Sequence, residues 1–228
     1  MRERKKDLHE PRGDHIIGGK MGRGGIHLNV NDEQLANSLI HRLSLDRVNP
    51  DVFPSIDLYM DQVTTFMESQ LKESRRYEED KVLTKTMINN YAKNDLFPSP
   101  PKKRYSKAHL FILVFIYFLK GFISIRDIRK LLAPISKNYF DEGKGRNMSQ
   151  IYASIYELEK QQMPSIQKSI EEHLARAKAS FPDASPSEQD TLHRFALICS
   201  LGYDVYLKKT LIERLIDEMP EEEKTRGK

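Results

Sequence analysis

Residues 89–106, "NNYAKNDLFPSPPKKRYS", decide how this chain folds. They begin inside a helical pattern, break on Pro98, Pro100 and Pro101, and then deliver Lys102, Lys103 and Arg104 ahead of Tyr105 and Ser106. Proline lacks an amide donor and clashes with the preceding turn, so no helix runs through this segment. Upstream, "LTKTMINNYAKNDL" reads as a short helix with Thr84 as its N-cap and Met87, Ile88 and Tyr91 facing inward. Downstream, Ser106 is placed to cap the helix carrying "AHLFILVFIYFLK". The order is therefore short helix, stiff turn, basic corner, apolar helix.

The flanking sequence extends this pattern in both directions. "NDEQLANSLIHRLSL" over residues 31–45 spaces Leu35, Leu39, Ile40 and Leu43 as one helix face, capped by Asn31 or Asp32. Ser55 reads as the cap of a helix whose stripe is Ile56, Met60, Val63, Met67 and Leu71, with Tyr59 and Phe66 beside it. After the apolar helix, Gly121 interrupts and Ser124 caps "IRDIRKLL", which Pro134 is expected to end. A longer helix starts near Asn147, is kinked or restarted at Pro164, and continues through Ile166, Ile170 and Leu174. Ser185 and Glu188 have capping-box spacing, with Pro186 at the first helical position of a last helix reaching about Met219. Strand is expected only in two short extended pieces flanking Pro98 to Pro101. The fold class is all-α.

Composition excludes several classes. The longest apolar run, Leu110 to Leu119, is ten residues, whereas a bilayer-spanning helix needs roughly 20, so no membrane is expected. No signal peptide is visible, and a lone cysteine, Cys199, excludes an internal disulfide framework. The expected location is cytoplasmic. Cys199 reads as a small buried hydrophobe, and the seven histidines are scattered without ligand spacing, so no metal or other cofactor is expected. "GGKMGRGG" lacks the Ser or Thr that follows the lysine of a phosphate-binding loop. No nucleophile, base and acid can be picked out in order, so the chain is not expected to be an enzyme.

The net charge of +4 is unevenly distributed. Residues 81–107 hold seven Lys/Arg against one acidic residue, whereas residues 26–80 hold five against eleven. A local basic patch is the footprint of a polyanion partner. On the helix over residues 84–95, Lys85, Asn89, Asn90 and Lys93 face outward when Met87, Ile88 and Tyr91 face in. Asparagine pairs bidentately with adenine, and lysine suits guanine or phosphate. Lys102, Lys103 and Arg104 then straddle neighbouring phosphates, with Tyr105 donating its hydroxyl to another. The expected DNA-binding set is Thr84, Lys85, Asn89, Asn90, Lys93, Lys102, Lys103, Arg104 and Tyr105, and the expected partner is double-stranded DNA. The rival reading is a helical protein-interaction adaptor that has lost DNA binding.

Tyr91, then Leu96-Phe97-Pro98-Ser99-Pro100, then Arg104-Tyr105-Ser106, then "GFISIRDIRKLL" over residues 121–132 form one ordered set. In that order they resemble the winged helix-turn-helix domain of MerR-type transcription regulators. That family carries a tyrosine on the recognition helix, "GLLPP", a basic wing ending in Tyr-Ser, and "GFSLEEIKELL". Here Asn89 stands where the family usually has arginine, and Asp95 replaces the glycine before Leu96. "LYMDQVTTFM", "LTKTMINNY" and "KRYS" together also resemble a bacterial family described only as a domain of unknown function. The MerR resemblance implies a sequence-specific transcription regulator that dimerises through its C-terminal helices; no effector is indicated. The expected organisation is a disordered basic arm (1–30), a MerR-like winged helix-turn-helix domain with its N-terminal helix (31–145), a C-terminal pair of longer helices (146–220) and a frayed tail (221–228).

Overall fold

The apolar run becomes the central helix. In the computed structural model, which describes residues 48–141, 143 and 145–220 together with Gln34, Ser38 and His41, helix α3 (Lys107–Leu119) buries Leu110, Phe111, Ile112, Leu113, Val114 and Ile116 almost completely. A helix apolar around its whole circumference must be surrounded. Here the surrounding elements are α1 (Met60–Leu71), α2 (Lys85–Lys93), α4 (Ile125–Tyr139) and the start of α5 (Met148–Lys178). Each such side chain contributes about 1.5–3 kcal/mol gross on burial. The last helix, α6 (Pro186–Asp217), pairs with α5 and returns its far end, through Ile216, to the same core. Chemistry at that end fits the helix dipole: Lys130 Nζ on α4 donates to the Asp217 carbonyl at 2.9 Å.

The predominantly helical class stands, with six α-helices among the described residues and one small sheet. Thr84, Ser124 and Asn147 cap their helices through side-chain acceptors, and Ser106 and Ser185 head capping boxes, Pro186 following the latter. Of the helix expected over residues 31–45, only Gln34, Ser38 and His41 are described, each helical. The expected arm (1–30) and tail (221–228) lie outside the described residues.

Four expectations change. Helix α1 starts at Met60, not after Ser55: Tyr59 is its N-cap residue and Gln62 Oε1 accepts from the Tyr59 amide at 2.8 Å. Ile56 therefore lies off the stripe and is exposed, while Val63, Met67 and Leu71 are fully buried. Pro134 does not end α4, which continues to Tyr139. The proline removes one helical bond, but the turn beyond it packs Ile135 against the core and leads to Phe140, whose ring meets that of His109 at 4.7 Å. Pro164 likewise does not restart its helix: it sits inside α5. The fourth change concerns strand. Of the two short extended pieces expected beside the prolines, only the one after them, Arg104–Tyr105 (β2), is a strand, and it pairs antiparallel with Leu58–Tyr59 (β1), far upstream.

The core does not stop at residue 145. Met148 and Tyr152 of α5 are buried in it. The Tyr152 ring stacks on Phe111 at 4.3 Å, and its hydroxyl donates to the Val48 carbonyl at 2.8 Å.

Candidate nucleic-acid interface

Helix α2 is short and two-faced. Ile88 and Tyr91 are buried and Met87 packs against the core, so Lys85, Asn89 and Lys93, spaced four apart, line an outer ridge with Asn90 beside it. Those four are exposed. No partner engages the Asn89 or Asn90 side chain among the described residues. Thr84 plays another part. It is half-buried, and its hydroxyl oxygen already accepts from the Met87 amide at 3.2 Å. The helix ends with Asp95 at φ 53°, while the Leu96 amide reaches back to the Tyr91 carbonyl at 3.1 Å. This is the left-handed stop that glycine usually supplies. Asp95 is also held from outside, its carboxylate 3.3 Å from Arg129 Nη2 on α4.

The basic corner is a tight reversal. Lys102 and Lys103 have φ of 52° and 59°, and the Arg104 amide donates to the Pro101 carbonyl. Two successive residues at positive φ closing on a four-residue bond characterise the tightest hairpin reversals. Such positions normally take glycine or asparagine, and lysine there costs about 1–2 kcal/mol per residue. Both lysines and Arg104 are exposed at this reversal.

A buried histidine pins the corner to the core. His109 is 1% exposed. The Ser106 amide donates to His109 Nδ1 at 3.0 Å, and Nε2–H donates to the Pro98 carbonyl at 3.0 Å. The ring is therefore neutral with its proton on Nε2. Burial pushes its pKa below the ordinary value, against smaller opposing effects of the Pro98 bond and the charge of Asp57. Phe97, Tyr105 and Phe140 pack their rings around it.

Tyr105 leaves the expected binding set. It is 3% exposed, its ring is buried edge-on against Phe97 and His109, and burial raises the pKa of its hydroxyl. In β2 the side chains alternate, so pairing Tyr105 with Leu58 turns it inward and Arg104 outward. Cys199 is also corrected: it is exposed on α6.

Two of the remaining cations, Arg104 and Lys85, meet the start of α1. Arg104 donates from Nε and Nη2 to the Tyr59 hydroxyl, at 3.2 and 3.0 Å. Its guanidinium carbon lies 5.3 Å from the centre of the same ring. Two residues on, Asp61 forms an ion pair with Lys85 at the start of α2. Cα atoms two residues apart lie within about 7 Å. Arg104 of the corner and Lys85 of the α2 ridge thus contact residues two apart at the start of α1. Sequence reasoning assigned no role to Tyr59, Asp61 or His109. Tyr59 closes β1 (Leu58–Tyr59) and was legible only as a stripe neighbour, and the spacing from Ser106 to His109 was the one local signal of a capping role. Among the described residues no cluster of histidine, cysteine or carboxylate side chains is arranged to hold a metal ion, and no helix is long and apolar enough to cross a membrane.

Residues 48–155 match the model of a family described as a domain of unknown function (DUF1836). The matched span opens at Val48 and closes just past Tyr152, the two residues joined across the core. Comparison with curated proteins and with solved structures finds no match.

Proposed function

We propose that this protein is a sequence-specific DNA-binding regulator, reading base edges with α2 and clasping phosphates with the Lys102–Arg104 corner. In this proposal the domain works as a winged helix-turn-helix of the MerR type. The observation that carries it is that Arg104 and Lys85 contact Tyr59 and Asp61, two residues apart at the start of α1. The proposal takes the corner and the Lys85–Asn89–Lys93 ridge as one cationic surface. Asn89 and Asn90 would take bidentate contacts to adenine, and Lys93 guanine or phosphate. Lys102, Lys103 and Arg104 would fix register on the backbone without carrying sequence information. Two lysines held at positive φ are consistent with strain kept for a binding task. Two copies joined through their C-terminal helices would present two such ridges to a palindromic site.

Gel-shift titration of purified protein against genomic fragments tests the proposal. Binding at low salt, lost on alanine substitution at Lys102 and Lys103, is expected; alanine leaves the positive-φ strain in place. Absence of a shift with any fragment at low salt sinks it. Stable co-purification with a protein partner, indifferent to those substitutions, would favour the adaptor instead.

A further inference from the structure

Helix α6 carries more apolar surface than the described residues cover. The face toward α5 uses Leu192, Ala196, Leu197, Ser200 and Leu201, all half-buried, with Ser200 Oγ 2.7 Å from His173 Nδ1. The opposite face exposes Phe195 (60%), Ile198 (62%), Val205 and Tyr206 (61%), with Cys199 and Gly202 among them. These positions follow the i, i+3, i+4, i+7 spacing of one helix stripe. Gly202 sits in its middle. Glycine inside a helix is destabilising relative to alanine, and nothing among the described residues requires it here. A Cβ built on Gly202 would meet no atom within 4 Å. A glycine without an internal reason, centred in an exposed apolar stripe, suits close approach by another helix.

We infer that this stripe docks a second copy of the chain, the two α6 helices crossing antiparallel at Gly202. The pattern about the glycine is self-complementary. Ile198 and Tyr206 lie four residues either side of it, and Cys199 and Val205 three. A two-fold axis through Gly202 therefore sets Ile198 against the partner's Tyr206, and Cys199 against the partner's Val205. Phe195 meets the aliphatic stem of the partner's Lys209. A two-fold interface needs one surface that matches itself, which an unrelated partner would not require. Area agrees. An aromatic side chain offers about 150–250 Å², so Phe195 and Tyr206, with Tyr203 on the flank one position past Gly202, at 60–65% exposure leave on the order of 100–150 Å² each. With Ile198, Val205 and the flanking stems, each copy approaches the roughly 800 Å² per partner of a standard interface. The inference deepens the paired-copy part of the proposed function and is independent of DNA binding.

Sedimentation of the full chain without DNA, at about 50 µM, tests it by mass action. The wild type is expected to run as a dimer, and Ile198→Glu and Tyr206→Glu as monomers with unchanged helix content. Gly202→Leu meets only open space in the monomer, so it is expected to fold and lose the dimer. Val205→Cys is expected to give a covalent dimer with the partner's Cys199 under oxidised glutathione, whereas Cys199 alone does not cross-link. A wild-type monomer, or a dimer indifferent to all three surface substitutions, overturns the surface. Cross-linking through Cys199 alone overturns the antiparallel crossing. Neither outcome bears on gel shifts, so failure here and failure of the DNA proposal are distinguishable.

Discussion

Single residues at the corner carry opposing demands that can be separated. Lys102 and Lys103 sit where glycine is preferred. Replacing both by glycine relieves about 1–2 kcal/mol of strain per site and loses about 0.5–1 to unfolded-state entropy. Denaturant unfolding should show stability unchanged or raised by up to about 1.5 kcal/mol per site, while affinity for DNA falls. A variant both less stable and equally tight would contradict these roles. Asp61 holds Lys85 in an exposed ion pair and so competes with phosphate. Asp61→Asn should tighten binding to all sequences and steepen the slope of log K against log salt by about 1, read by anisotropy across salt. His109 gives a pH dependence with a fixed sign. Its folded pKa lies below the unfolded imidazole value, so the unfolded chain binds more protons there. Stability is full above about pH 6.5 and falls as pH drops below it. Urea midpoints at about pH 7.5 and 5.5 should show the fall, and His109→Gln should remove that part of it. None of these roles was written in the sequence as such: the period-2 alternation that buries Tyr105 depends on its pairing with Leu58, 47 positions upstream.

At the scale of elements, legibility followed how local the determinants are. Caps at Thr84, Ser106, Ser124, Asn147 and Ser185 were readable because each bonds within three residues. The inward set Met87, Ile88 and Tyr91 was readable because helix period fixes it. What failed was decided at a distance. Pro134 stays helical because the turn after it reaches the core, and β2 pairs with β1, a segment no local signal marked as its partner. The left-handed end of α2 was visible only as a missing glycine, since Asp95 takes that conformation while bonded to Arg129. The α2 ridge and the corner should differ in what they lose. Asn89→Ala or Asn90→Ala should relax base preference by about 1–3 kcal/mol at one position. Lys102→Ala should weaken all sequences alike and flatten the salt slope by about 1. Competition assays on a randomised site separate the two, and identical behaviour would contradict the division of labour.

The whole molecule joins one core, running from Val48 to Tyr152 and closed by Ile216, to a helical hairpin whose outer face is apolar. Composition announced the core and its helical class, and charge clustering marked the basic segment. The exposed face of α6 was hidden, because an apolar helix position looks the same whether its own chain or another copy covers it. Arg104 and Lys85 meet the same turn of α1, and from this the DNA proposal follows: one cationic surface, salt-sensitive and tied to α2. The most direct test is anisotropy on a genomic fragment selected by the wild-type protein, titrated from 50 to 200 mM salt. With six to ten phosphates neutralised, affinity should fall by about 10³–10⁵-fold, and less steeply for Lys102→Ala with Lys103→Ala. Binding that ignores salt, or that survives those substitutions with an unchanged slope, would contradict it.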